Sequence, residues 1–509
     1  MNLALLADRD LAERGERERL WFEERSYTNR ELHDASCRLA GSFAQLGISQ
    51  DDRVVVLMPN CPEVLISYPA IWRVGAVVVP VLFMLEADEL SYILQNSQAK
   101  AVITTPELLA KVRHAQGDRA LHVIVVTHGQ NEVSAPCLRF ESLAQLGEPL
   151  LEAAARAPDD LAVVLYTSGT TGQPKGVMQT HNNLSANALN SWNTAVEKDP
   201  GVSLLVLPLA HTFGLSALVS GYLFGGRAVL VRKFVPHEAL AMIERHRVTV
   251  MAGVPTMFMY MLMTPGSFDT SSVRRWIVGA APMPTEQLQK FEQRFGGRML
   301  VGYGLTEASP TIAVEREEEP RKPGSTGRPV EGVRVRIVDE ARCELPQGQV
   351  GEICAAGENI TRGYLGMPEA TAECFQDGWL YTGDMGYLDD DGVLFVVERK
   401  KDLIIRGGLN VYPKDVEEVL YRHPAVAECA VVGVPDPMLG EQVCACVVLK
   451  SGVDASPEAL IAHCQLSLAK YKTPRYIELM SSLPKTPIGK VQKKELRKWA
   501  SEKLGQSFN

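Results

Sequence analysis

YTSGTTGQPKGV, residues 166–177, decides how this chain is read. Residues 167–172 are six glycines or hydroxyl residues in a row, and Gln-Pro-Lys-Gly follows. Such a run suits neither a helix interior nor a strand centre. Glycine is costly there, and nothing apolar is offered to a core. LAVVLY (161–166) precedes it and reads as a buried strand. The run is therefore a loop leaving a strand end. Its hydroxyls and bare backbone N–H groups suit an anion, and Lys175 adds a positive charge. A flexible surface loop with a chance lysine is the bland alternative. The density of the pattern favours a phosphate cradle. Two common phosphate motifs are excluded. A Gly-Lys-Ser/Thr ending is absent, because Pro174 precedes Lys175 and Gly176 follows it. Gly302-Tyr303-Gly304 carries Glu307 where a dinucleotide fingerprint needs its third glycine. No Gly-x-Ser-x-Gly elbow marks a serine hydrolase.

Composition narrows the class. A chain of 509 residues is long enough for a large core and more than one domain. Its net charge of −9 argues against general nucleic-acid binding, though not against a local basic site. The ten cysteines are scattered with no Cys-x-x-Cys, so they read as reduced and mostly buried thiols of a cytoplasmic protein. Cys444 and Cys446 alternate onto one strand face in QVCACVVLK (442–450). The N-terminus turns charged too soon for a signal peptide. LISYPAIWRVGAVVVPVLFML (65–85) carries Arg73 and two prolines, so buried helix and strand fit better than a membrane span.

Strand and helix patterns alternate over residues 29–130 and again over 204–254, which predicts parallel-rich sheets covered by helices. Thr28 looks like a helix cap. From about Gly324 short strands sit between glycine turns, as in a compact β unit. A second boundary falls in ERKKD (398–402), and an α+β pattern follows it. Polar clusters mark other strand ends: GAAP (279–282), GYGLTE (302–307), YTGD (381–384) and PKTPIGKVQKKELR (484–497). Each is weak alone; their joint presence and order carry the weight.

With these clusters in place, the chain resembles the adenylate-forming superfamily of acyl-CoA synthetases, peptide-synthetase adenylation domains and beetle luciferases. The resemblance spans nearly the whole chain. It implies an α/β fold: a large N-terminal domain (1–400) of two β/α lobes and a small β-barrel, then a small mobile α+β domain (401–509). It implies ATP, Mg²⁺ and CoA as co-substrates and cofactor. Thr167 and Glu307 would hold the metal. Ser168, Gly169, Thr170, Thr171 and Lys175 would embrace the phosphates. Tyr303 would stack on adenine, with Gly279, Ala280, Ala281, Gly302, Gly304 and Thr306 around it. Asp384 and Arg399 would hold the ribose. Lys490 matches the lysine that bridges carboxylate and α-phosphate, and Lys401 the hinge. Two departures are minor: Asp415 stands where the family often has Glu, and Lys493 where it often has Arg.

The acceptor and the acid are less defined. No carrier-protein domain follows Lys490, so free CoA fits better than a peptide-synthetase arm. His211 in LPLAHTFGL (207–215) matches the gate between acyl pocket and CoA tunnel, and Phe213 and Gly214 beside it would bind the acyl group or CoA. Gly407 and Gly408 match the glycines that let pantetheine pass. The pocket elements are apolar and methionine-rich, which favours a medium- to long-chain fatty acid, although a methionine stripe is more often plain core. An aryl acid is the alternative, luciferase chemistry a third, and a nucleotide-binding scaffold without catalysis the non-enzyme reading. Small molecules are the expected partners, with no integral membrane contact, and a homodimer is left open.

Overall fold

The helix Asn29–Gln45 begins where its cap does. The Thr28 hydroxyl accepts the Glu31 N–H, and the Glu31 carboxylate accepts the Thr28 N–H at 2.7 Å. Its Leu32, Leu39 and Phe43 face is buried. The computed structural model describes residues 1–127, 136–167, 173–195, 201–486 and 491–505, and every count below refers to these. They form four β-sheets and 15 α-helices.

The first sheet has seven strands, in the order Leu138–Arg139, His122–Val125, Ala99–Thr104, Arg53–Leu57, Val77–Pro80, Leu161–Thr167, Lys175–Thr180. Its central strands pair in parallel and are covered on both faces, which is why they read as unbroken Val and Ile runs. Only the last pair is antiparallel: Leu161–Thr167 and Lys175–Thr180 form a hairpin around the glycine-rich run.

The second sheet has nine strands and takes in Val202–Leu205, Arg227–Leu230, Val250–Gly253, Arg275–Val278 and Arg298–Gly304. One member is unexpected. Glu18–Phe22, from the start of the chain, pairs in parallel with Arg227–Leu230 and so ties the N-terminus to the second lobe. Phe258, Trp276 and Phe291 meet edge to face with centroids 5.0–6.1 Å apart. That cluster anchors the methionine-rich helix Pro255–Met263 on this sheet.

A curled five-stranded sheet follows, built on Arg334–Val338, Gly351–Ala356, Trp379–Leu388 and Leu394–Arg399. The last sheet belongs to the C-terminal domain: Ile404–Arg406, Leu409–Val411, Val426–Asp436, Gly440–Leu449 and Tyr476–Leu479. Cys444 and Cys446 share one buried face of it. No disulfide forms, and seven of the ten cysteines are buried. No described helix is long and apolar enough to cross a membrane.

The apolar stretch around Pro69 and Arg73 resolves into the helix Pro62–Arg73 and the strand Val77–Pro80. Proline inside a helix frees the carbonyl four residues earlier. Here the Tyr222 hydroxyl donates to that carbonyl, Leu65 O, at 3.1 Å. Arg73 is fully buried and pairs with Asp8. Asp8 also meets His33 Nε2 at 2.7 Å. That bond, with help from Cys37 and against the penalty of burial, pushes the His33 imidazole up to about 10. A folded value above the unfolded 6.5 means the folded state holds the proton more tightly. The resulting stability is fully present below about pH 6.5 and is lost as pH rises through about 10. The melting temperature of wild type should therefore exceed that of His33→Gln at pH 6, and the gap should close by pH 10. A gap independent of pH would remove this assignment.

Candidate active site

Hairpin register sets the first group of side chains. Thr167, the last residue of its strand, lies opposite Lys175, the first of the next. Ser168, Gly169, Thr170 and Thr171 lie outside the described residues. Lys175 makes no ion pair with a described carboxylate; its ammonium sits 4.8 Å over the Tyr364 ring. A strap of residues 361–365 runs beside this strand. Met178 N donates to Gly363 O at 3.0 Å, and Leu365 N to Gly176 O at 2.8 Å. The same strap reaches Glu307, because Thr361 N donates to Glu307 O at 2.9 Å. Glu307 lies in the short turn Thr306–Ala308, just beyond the strand Arg298–Gly304. Gln179 joins the two sheets here, donating to Thr306 O at 3.0 Å.

The second group gathers around Tyr303. Its hydroxyl donates to Asp384 Oδ2 at 2.7 Å. Burial, then the Asp384 charge, pushes this phenol well above its ordinary value, so it stays a donor. Asp384 and Arg399 face each other on paired antiparallel strands, and Arg399 Nε lies 3.4 Å from Asp384 Oδ1. Asp384 is buried, whereas the Arg399 side chain is 42% exposed. Gly304 has no room for a side chain: a Cβ would fall 1.9 Å from Pro310 O. Gly279, Ala280 and Ala281 follow the strand Arg275–Val278. Ala280 sits at φ 68°, a sparsely populated region for a residue with a Cβ. Gly302 lies in the final strand turn beside Tyr303.

The third group borders the other two. His211 caps the helix Thr212–Phe224, its Nδ1 accepting the Phe213 N–H at 3.3 Å. The Phe213 ring lies 3.4 Å from where a Gly279 Cβ would stand, so residues of the second and third groups touch. A Cβ on Gly214 would meet Pro208 O at 2.2 Å. Gly407 and Gly408 are placed elsewhere. Both have positive φ and form the exposed turn of the hairpin Ile404–Arg406 and Leu409–Val411. Gly407 N donates within the C-terminal domain, to Leu439 O at 2.7 Å.

Lys490 lies outside the described residues. Its surroundings are placed. Lys485 pairs with Glu428 at 2.7 Å and lies 5.8 Å over the Tyr260 ring of the methionine-rich helix. Lys493 bridges Glu417 of the C-terminal domain at 2.9 Å and Glu398 at 3.3 Å. Burial alone would lower the Lys493 ammonium, but Glu417 and Glu398 outweigh it and push it up. Lys401 lies in the turn Lys400–Asp402 between them, its carbonyl accepting Arg497 Nη1 at 3.1 Å.

Thr167, Gly279, Ala280, Ala281, Tyr303 and Glu307 thus lie at or just beyond the C-terminal ends of strands, where open α/β sheets bind ligands, whereas Lys175 begins its strand, Asp384 lies within one and Gly407 and Gly408 stand apart. A cleft of about 380 Å³ lined by Trp21, Arg227, Arg245 and His246 lies at the opposite strand ends, away from them. Among the described residues no set of three His, Cys, Asp or Glu could cage a metal. The chemistry available is one hard carboxylate, Glu307, with the Thr167 hydroxyl. Magnesium bound through one carboxylate and substrate phosphates fits that donor set. Sequence reasoning missed Tyr364, Gln179 and the Glu398–Lys493 pair. Their roles come from strand pairing between distant segments, and no local pattern announces it.

Known proteins are similar to this chain in sequence and fold. The model "AMP-binding enzyme" matches residues 7–365, and "AMP-binding enzyme C-terminal domain" matches 415–490. A long-chain-fatty-acid–CoA ligase of Bacillus subtilis (strain 168) is 35% identical over 509 residues, with 93% of this chain and 90% of that protein covered. Feruloyl-CoA synthase of an Amycolatopsis species is 38% identical over 485 residues, with 92% of this chain and 93% of that protein covered. The crystal structure of an anthranilate CoA ligase in complex with anthranoyl-AMP superposes with a TM-score of 0.93 at 29% identity, covering 100% of this chain and 98% of that one.

Proposed function

The chain belongs to the AMP-binding enzyme family of adenylate-forming acid–thiol ligases, and from that premise we propose that it converts a medium- to long-chain fatty acid to its CoA thioester. A carboxylate oxygen attacks the α-phosphorus of ATP, and pyrophosphate leaves. The CoA thiol then attacks the acyl carbon, and AMP leaves. One observation carries the reading. The Tyr303–Asp384–Arg399 group and the Lys175–Glu307 group, both joined through hydrogen bonds, ion pairs or ring contacts, stand in a chain that aligns over 93% of its length with a fatty-acid–CoA ligase.

The roles follow from the chemistry of each group. Tyr303 offers a flat ring to adenine, and its bond to Asp384 ties that ring to the ribose acceptor. Asp384 has lone pairs to spare after serving Tyr303 and Arg399, so the ribose hydroxyls can donate to it. Lys175 faces the β- and γ-phosphates. Thr167 and Glu307 are the residues that would hold magnesium, which supplies charge neutralisation on the triphosphate. Lys490 neutralises the charge gathering between carboxylate and α-phosphate. Residues 1–400 form the adenylating body and 401–509 a lid that turns about Lys401, withdrawing Lys490 so that CoA can enter past Gly407 and Gly408. His211, Phe213 and Gly214 border the acyl pocket. A cytoplasmic location and free CoA as acceptor belong to the same proposal.

The fatty substrate rests on the helices Thr212–Phe224 and Pro255–Met263, neither of which carries a charged side chain. The 38% identity to feruloyl-CoA synthase supports a second reading, an aryl acid. Thioester formation across saturated acids from hexanoate to palmitate separates the two. A fatty pocket predicts that kcat/KM rises with chain length by up to about 0.8 kcal/mol for each CH₂, with ferulate and benzoate poor. A preference for ferulate would replace the fatty acid by the aryl one.

A further inference from the structure

The strap of residues 361–365 carries one aromatic side chain, Tyr364, and that ring touches both halves of the phosphate side of the site. Its face lies 4.8 Å under the Lys175 ammonium. Its hydroxyl donates to Glu307 Oε1 at 2.8 Å. The ring is itself held in place. Tyr364 is 6% exposed and pairs by backbone with Val177. Its N–H donates to Thr371 Oγ1 at 3.0 Å, and its ring meets Phe375 edge-on at 6.0 Å.

A lysine and a glutamate in one anion site attract each other. Left alone they would collapse into an ion pair, and each would cancel the charge the other presents to a ligand. Here no such pair forms: Lys175 rests on the π face, and one Glu307 oxygen is occupied by the phenol. Among the described residues, none bonds the second oxygen of Glu307. A hydrogen-bonded outer partner of this kind fixes the orientation of a ligating group.

We propose that Tyr364 is a positioning residue that keeps Lys175 and Glu307 apart and aligned as separate contacts for a magnesium–triphosphate group. The inference rests on the assignment of Lys175 and Glu307 above, and it adds a third residue with no direct contact to the reacting atoms.

Titration of magnesium at fixed ATP, read by calorimetric nucleotide binding and by pyrophosphate release, tests it. Tyr364→Phe keeps the ring under Lys175 and deletes the bond to Glu307. The magnesium concentration for half-maximal ATP binding should rise about tenfold. The rate of pyrophosphate release at saturating magnesium should fall much less. Thioester formation from supplied acyl-adenylate, which involves no triphosphate, should match wild type. Tyr364→Leu also removes the ring, and the KM for ATP should then rise as well. Unchanged magnesium dependence in Tyr364→Phe overturns the proposal, as does equal loss in both half-reactions, which marks a merely structural ring. Glu307→Gln separates the two layers of the argument. If wild type and Glu307→Gln show the same magnesium dependence, the assignment of Glu307 fails; if they differ and Tyr364→Phe behaves as wild type, only the positioning role fails.

Discussion

Replacing Lys490 with alanine should slow acyl-adenylate formation by about a hundred- to a thousandfold, while thioester formation from supplied acyl-adenylate survives nearly intact. The magnitude is that of deleting one preorganised positive contact at developing charge in a site closed to water. Two anions meet in the first step, the carboxylate of the acid and the α-phosphate. A lysine between them acts as a compact point charge. In the second step the new bond is a thioester, and AMP is already in place. Single-turnover measurement of pyrophosphate and of thioester distinguishes the steps. Equal loss in both would place Lys490 outside the adenylation chemistry.

Asp384→Ala should behave in the opposite manner and impair both half-reactions. Adenosine is bound in each, first as ATP and then as acyl-adenylate. The substitution removes the acceptor of the Tyr303 hydroxyl and the partner of Arg399. A hydrogen bond to a charged group contributes about 1.5–3 kcal/mol, so kcat/KM for ATP should drop about a hundredfold. AMP affinity should drop in parallel, whereas Lys490→Ala should leave it nearly unchanged. Intact AMP binding in folded Asp384→Ala would show that the ribose is held elsewhere.

Much of this architecture was legible before any coordinates. Thr28 capped its helix because the capping box is a local pattern, complete within residues 28–31. LAVVLY (161–166) read as a strand because buried parallel strands are continuously apolar. Local patterns failed where distant segments decide. Glu18–Phe22 is flanked by charged residues, and only Arg227–Leu230 makes it part of a sheet. Pro69 signals a helix break, yet Tyr222 supplies the missing donor and the helix continues. The same division holds in the site. Lys175, Glu307 and Asp384 stand in recognisable clusters. Tyr364 sits in an unremarkable glycine-flanked strap, and its importance appears only when that strap pairs beside Lys175. Lys493 read as a minor departure from Arg, and the structure adds that it bridges Glu398 and Glu417 on either side of the turn Lys400–Asp402.

In the proposed mechanism an enzyme-bound acyl-adenylate forms before CoA reacts. Exchange of labelled pyrophosphate into ATP, measured with a fatty acid and magnesium but without CoA, tests it most directly. Exchange should require the acid, persist without CoA, and drain toward AMP and thioester when CoA is added. No exchange until CoA is present, or ADP and phosphate as products in place of AMP and pyrophosphate, would contradict it.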